Sequence, residues 1–181
     1  YLKGIRDIAQ DHPDSNYLAR AQVVKTVQGL GKLDITYDIL TKTPELKAAI
    51  ELVRACPDTR FVLDHISKPY ISRQELEPWK SLITDLASFE NVSCKISGLV
   101  TEANWKDWEV SDFTPYTDHI IESFSTSRIM FGSDWPVALL AANTYSEVVG
   151  LAEKVTAGFS ASEKEAFWAL NVARSYKITN L

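Results

Sequence analysis

Short apolar or β-branched runs alternate along the chain with stretches whose apolar residues recur every three or four positions. The runs fall at Gly4–Ala9, Leu33–Leu40, Arg60–Ile66, Val92–Ile96 and Arg128–Phe131. Phe61-Val62-Leu63 and Ile129-Met130-Phe131 are apolar at consecutive positions, the pattern of parallel strands covered on both faces. Between the runs, Leu18, Ala21, Val24 and Val27 share one helical face, and Gly29 and Gly31 read as stop signals. Leu46, Ala49, Ile50 and Val53 form a second stripe. Leu76, Trp79, Leu82, Ile83 and Leu86 form a third, Phe113, Tyr116, Ile120 and Phe124 a fourth, and Tyr145, Val148, Val149, Ala152 and Val155 a fifth. Ser162 and Glu165 have the spacing of a capping box that opens a last helix. The pattern is thus β-α five times and one more helix. It predicts an α/β domain over 1–181 with a parallel sheet and no internal linker.

Composition changes this picture little. Of 181 residues 45% are hydrophobic and 24% charged, ordinary for a globular domain. The net charge of −5 disfavours a nucleic-acid partner. The longest apolar stretch, Val137–Ala142, is too short to cross a membrane. Cys56 and Cys94 do not make a disulfide framework and fit a reducing compartment. With the acidity, this sets a cytoplasmic expectation. The chain opens on Tyr1 with no secretory signal pattern, so a fragment or a processed form is expected.

In parallel α/β folds the chemistry sits at the carboxyl ends of the strands. Those ends here carry Arg6 and Asp7, Tyr37 and Asp38, Asp64 and His65, Lys95 and Ser97, and Ser133 and Asp134. His65 is either a site residue or a histidine closing a strand. Asp134 is a site residue or a turn aspartate. Together they form an acid/base pair, since imidazole can polarise a carbonyl or bind metal and a carboxylate can take a proton from water. Lys95 in mid-strand needs a partner, either Asp64 or a substrate. His119, in a helical stripe, reads as structural, and His12 as a loop residue. Trp105 and Trp108 form a lid over the rim or cover the end of the fold. No G-x-G-x-x-G, Walker A or G-x-S-x-G motif is present.

Three segments carry a family resemblance: Arg60-Phe-Val-Leu-Asp-His-Ile-Ser-Lys-Pro69, Cys94-Lys-Ile-Ser-Gly-Leu-Val-Thr-Glu-Ala-Asn-Trp105 and Arg128-Ile-Met-Phe-Gly-Ser-Asp-Trp-Pro-Val137. Tyr1–Gln10 and Asn171-Val-Ala-Arg-Ser-Tyr176 add to them. The chain resembles the amidohydrolase-related, metal-dependent-hydrolase type of TIM barrel. The nearest likeness is to the sugar-lactonase branch, which includes L-fuconolactone and L-rhamnonolactone hydrolases. The resemblance implies a (β/α)₈ barrel, present here as about the last five β/α units plus a C-terminal helix. It assigns Asp134 as the central acid/base and His65 as the contact to the reacting carbonyl. Lys95, Arg6, Asp38 and Trp105 fall where substrate oxygens or the substrate face would be held. Asp134 and His65 would also be the ligands of a divalent metal, zinc foremost, if one is bound; the alternative is no metal.

Two departures matter. The family's opening His-x-His pair has no counterpart in this chain, and Tyr37 and Asp38 stand where many relatives have a metal-binding histidine. A whole barrel takes about 250 residues, so the first three strands are expected upstream of Tyr1. Five strands cannot close such a barrel, which predicts two open edges and an exposed apolar inner face. The expected activity is hydrolysis of a small sugar-acid lactone, with a homo-oligomer left open. The alternatives are a decarboxylase of the same superfamily, a non-catalytic truncated fragment, and a doubly wound binding domain.

Overall fold

The computed structural model describes residues 1–179. Five strands, β1 (Gly4–Ile8), β2 (Thr36–Leu40), β3 (Phe61–Leu63), β4 (Val92–Ile96) and β5 (Ile129–Phe131), make one parallel sheet among these residues. They lie side by side in chain order, β1 to β5. A doubly wound sheet reverses direction at a switch point. None occurs here, so the doubly wound alternative is corrected: the sheet is a continuous arc, as in part of a barrel.

The connecting helices are α1 (Ala21–Lys32), α2 (Leu46–Ala55), α3 (Trp79–Ala87), α4 (Val110–Phe124) and α5 (Tyr145–Val155). The last helical stretch is α6 (Ala161–Glu165), a π-helical turn (Ala166–Leu170) and α7 (Asn171–Ser175). Their apolar stripes pack on Tyr37, Ile39, Phe61, Leu63, Cys94, Ile96 and Ile129 of the sheet. Burial of these side chains is the main force holding the arc together.

Three local expectations shift. Helix α1 runs through Gly29 and Gly31 to Lys32, and the turn falls at Asp34, with φ 60°. Aspartate tolerates that left-handed conformation, so the glycines are not needed there. The last cap is two residues earlier than the Ser162–Glu165 spacing implied. Ser160 accepts from the Glu163 amide, and Glu163 accepts from the Ser160 amide at 2.8 Å. Ser-x-x-Glu occurs twice in this stretch, and Ser160 has the extended backbone that a cap requires. Tyr145 is exposed, and Leu151 takes a core position on α5 instead.

The second sheet face is mixed rather than apolar, with buried Val62 and Met130 beside charged groups. Arg6, Asp38, Asp64 and Lys95 meet on it, which corrects the expectation of an apolar inner face. Exposed apolar side chains are confined on β1 to Ile5 and Ile8. At the opposite end of the strands, the Arg128 guanidinium gathers the carbonyls of Ala87, Phe89 and Val92 at 2.9–3.1 Å. It thereby ties the end of α3 to β4. Arg128→Lys is expected to cost about 1–3 kcal/mol, because an ammonium lacks the planar fork and leaves a buried carbonyl unmet. Urea unfolding checks this; an unchanged midpoint would make the fork incidental. No helix of the described residues is long and apolar enough to cross a membrane.

Candidate active site

His65 follows β3 on an unusual turn. His65, Ile66, Ser67 and Lys68 all have positive φ, at 54°, 47°, 58° and 43°. For residues other than glycine each such step costs about 1–2 kcal/mol, and for β-branched Ile66 it is the least natural. Tertiary contacts hold the turn. Trp79 Nε1 donates to the Ile66 carbonyl at 2.7 Å, the Thr41 and Ser67 hydroxyls share a 2.7 Å hydrogen bond, and Lys68 pairs with Glu102 at 3.4 Å. The result is a buried imidazole aimed along the carboxyl ends of the strands.

Asp134, beyond β5, also has positive φ, at 53°. Its Oδ1 lies 3.4 Å from His65 Nε2, and both side chains are under a tenth exposed. Asp134 Oδ2 is buried with no hydrogen-bond partner among the described residues. The other ring nitrogen, His65 Nδ1, lies 2.8 Å from Ser97 Oγ at the end of β4. Burial lowers the His65 pKa, only partly offset by the Asp134 carboxylate, and so favours the neutral imidazole.

Two glycines make room for this. Gly98 has φ 61°, and a Cβ there would stand 2.8 Å from His65 Cβ. A Cβ on Gly132 would stand 2.9 Å from Ser97 Cβ and Oγ. Gly98→Ala is therefore expected to displace the imidazole and to cost at least about 1–2 kcal/mol for the left-handed backbone alone. Thermal unfolding checks it; a wild-type midpoint would refute the close-packing argument.

Arg6, Asp38, Asp64 and Lys95 join in one network. Lys95 Nζ contacts Asp38 Oδ2 at 2.8 Å and Asp64 Oδ1 at 2.7 Å. Arg6 reaches the other Asp64 oxygen at 3.2 Å, with its own side chain 49% exposed. Tyr176, just past α7, donates to Asp38 at 2.7 Å, and its ring lies 5.2 Å from Lys95 Nζ. Burial works against the Lys95 ammonium, but Asp64 and Asp38 outweigh it and raise its pKa. Burial raises Asp38 despite the Lys95 charge. Sequence reasoning missed Tyr176 as a partner; its one signal was its place in the Asn171–Tyr176 segment.

The remaining candidates lie on the rim loops or the helices. Trp105 is half exposed on the rim loop after β4 and donates to the Thr101 carbonyl at 2.8 Å. Trp108 bridges to the Ala141 carbonyl at 2.7 Å, joining the loops after β4 and β5. His119 is buried against the Lys80 carbonyl at 2.9 Å, and His12 stacks on Tyr17. Both fit structural roles.

Comparison with known proteins gives the family. The amidohydrolase family profile matches residues 1–178. An L-fucono-1,5-lactonase of Burkholderia multivorans is 34% identical, covering 98% of this chain and 63% of its own length. An amidohydrolase structure from Burkholderia multivorans with bound zinc superposes with a TM-score of 0.90 at 35% identity, covering 97% of this chain and 64% of that one. The fold alone is shared with 2,6-dihydroxybenzoate decarboxylase from Rhizobium, at TM-score 0.60 and 13% identity over 97% of this chain and 62% of that one. The chain thus spans about three fifths of the first two, at 63% and 64%. A profile that runs nearly end to end, and a third of positions shared with a relative across almost all of this chain, mean that the chain belongs to the amidohydrolase family.

Proposed function

We propose that the protein hydrolyses a small sugar-acid lactone, with Asp134 as general base and His65 as the donor that polarises the carbonyl. The observation that carries this reading is the approach of His65 Nε2 to Asp134 Oδ1 at 3.4 Å, at the carboxyl ends of two strands, beside a carboxylate oxygen with no partner among the described residues. The relative named L-fucono-1,5-lactonase supports the substrate class.

The steps follow from the groups present. Asp134 takes a proton from water as its oxygen attacks the lactone carbonyl carbon. Negative charge grows on the carbonyl oxygen, where His65 Nε2–H donates a hydrogen bond. The ring C–O bond then breaks, and the Asp134 proton passes to the departing oxygen to give the open hydroxy acid. Arg6 keeps donors free beyond its Asp64 contact for hydroxyl or carboxylate oxygens. Lys95 and Asp38 set the charge of that wall, and Trp105 offers a face for a sugar ring.

His65 and Asp134 are also the donors a divalent ion would take. The related Burkholderia multivorans structure with bound zinc supports a divalent ion here; His65 and Asp134 would help to hold it, and it would polarise a carbonyl or lower the pKa of a water.

The test is proton release from a panel of sugar-acid lactones, with 2,6-dihydroxybenzoate as the decarboxylation control, using the full-length protein. Turnover of a lactone is expected. Carbon dioxide release without lactone opening would replace this reading by the decarboxylase one.

A further inference from the structure

We infer that Lys68 and Glu102 are a specificity pair at the rim of the site, the ammonium donating to one hydroxyl of a sugar-acid lactone and the carboxylate accepting from the neighbouring hydroxyl. This rests on the lactone reading of the site. Lys68 closes the left-handed turn that begins at His65, with φ 43°. Its side chain is 11% exposed, yet Nζ stands 3.4 Å from Glu102 Oε1. A charge-assisted hydrogen bond is shorter, at about 2.7–2.9 Å. Two other lysines close such bonds: Lys95 meets carboxylates at 2.7 and 2.8 Å, and Lys42 holds Asp11 at 2.8 Å. An ammonium carries three donors, and one largely withdrawn from water needs oxygen partners. Lys68 therefore keeps donors for a ligand. Glu102 matches it, with its side chain 16% exposed. Its Oε1 takes the Lys68 contact and a 3.4 Å bond from Thr101 Oγ1, which leaves Oε2 to accept.

The loop after β4 ties this pair to the site. It leaves the imidazole at Gly98, and Thr101 Oγ1 donates back to the Gly98 carbonyl at 3.0 Å. Trp105 Nε1 in turn donates to the Thr101 carbonyl. Glu102 and the half-exposed Trp105 ring thus stand on one braced segment. The ammonium lies within Coulomb reach of the imidazole, since burial and then the Lys68 charge lower the His65 pKa. The pair is neutral as a whole. A lone ammonium would select an anion, whereas a donor beside an acceptor suits adjacent hydroxyls, each able to give and take a hydrogen bond. A ligand without those hydroxyls leaves two largely buried charges short of partners, which is how a polar site rejects such an analogue.

The experiment compares the full-length wild type with Glu102→Gln and Lys68→Met. Kinetics give the ratio of kcat/KM for L-fucono-1,5-lactone to that for δ-valerolactone, which lacks the hydroxyls. Calorimetric titration gives the same ratio in affinity for the two corresponding lactams, whose amide replaces the reacting ester. The wild type is expected to prefer the hydroxylated member in both. Each variant should lower that preference by about 10–10²-fold, the scale of a hydrogen bond from a charged group. A loss shared equally by both lactones would mean that the pair only braces the His65 turn, and it overturns the inference. A wild type without preference for the hydroxylated lactam overturns it too. If Lys68→Met does not fold, Glu102→Gln and the wild-type titration still decide. Failure of the wild type to open either lactone would sink the proposed function, while the lactam preference and its loss in Glu102→Gln would judge the pair independently.

Discussion

Asp134→Asn is expected to reduce lactone hydrolysis by about 10²–10⁴-fold, the usual worth of a positioned general base, with the fold unchanged. The substitution is clean for a structural reason. Asp134 sits at φ 53°, and asparagine is among the few residues that accept this backbone. The Asp134 carbonyl keeps its 2.9 Å bond from the Ala138 amide, so the turn beyond β5 stays closed. What is lost is the negative charge and the capacity to take a proton from water. Initial rates in a pH-stat, with circular dichroism as the control for folding, check it. Undiminished turnover would remove Asp134 from the chemistry.

Lys95→Met is expected to be the most damaging change to stability, by about 3–5 kcal/mol, the scale for breaking a buried ion pair from one side. Methionine fills much the same volume but leaves Asp38 and Asp64 facing each other without the ammonium that separates them at 2.8 and 2.7 Å. Arg6 cannot stand in fully, since it meets Asp64 at 3.2 Å from a half-exposed position. The Tyr176 hydroxyl helps Asp38 alone. Adding Asp38→Asn and Asp64→Asn to Lys95→Met should return most of the loss, because the penalty lies in uncompensated charge rather than in a missing contact. Urea denaturation of the single and triple variants checks this. A single variant as stable as the wild type would mean that water already screens the network.

The strands were legible because two-sided burial writes itself as consecutive apolar residues, as in Phe61-Val62-Leu63. His65 and Asp134 stood out because they close such runs. A lysine in mid-strand announced the need for a partner, and of the two readings open to Lys95 the structure supplies the pairing with Asp64, adding Asp38. The rest depended on distance along the chain. Tyr176 reaches Asp38 across 138 positions, and no local pattern records such a contact. The left-handed turn was hidden for another reason: Ile66 is a residue whose own preference runs against that backbone, so its sequence argues for extended structure there. The inner face was misjudged because its charged residues, Arg6, Asp38, Asp64 and Lys95, are scattered one to a strand or strand end and become a cluster only once the strands are adjacent.

The turn from His65 to Lys68 has a consequence for how the protein responds to heat. The segment is unfavourable by itself and is upheld by burial, with Ile66 and Ser67 wholly enclosed, as well as by hydrogen bonds each worth about 1 kcal/mol. It keeps its shape only while the packing around it is intact, so weakening the Trp79, Thr41 or Glu102 contacts is expected to lower the temperature at which the core and the line of His65 fail together.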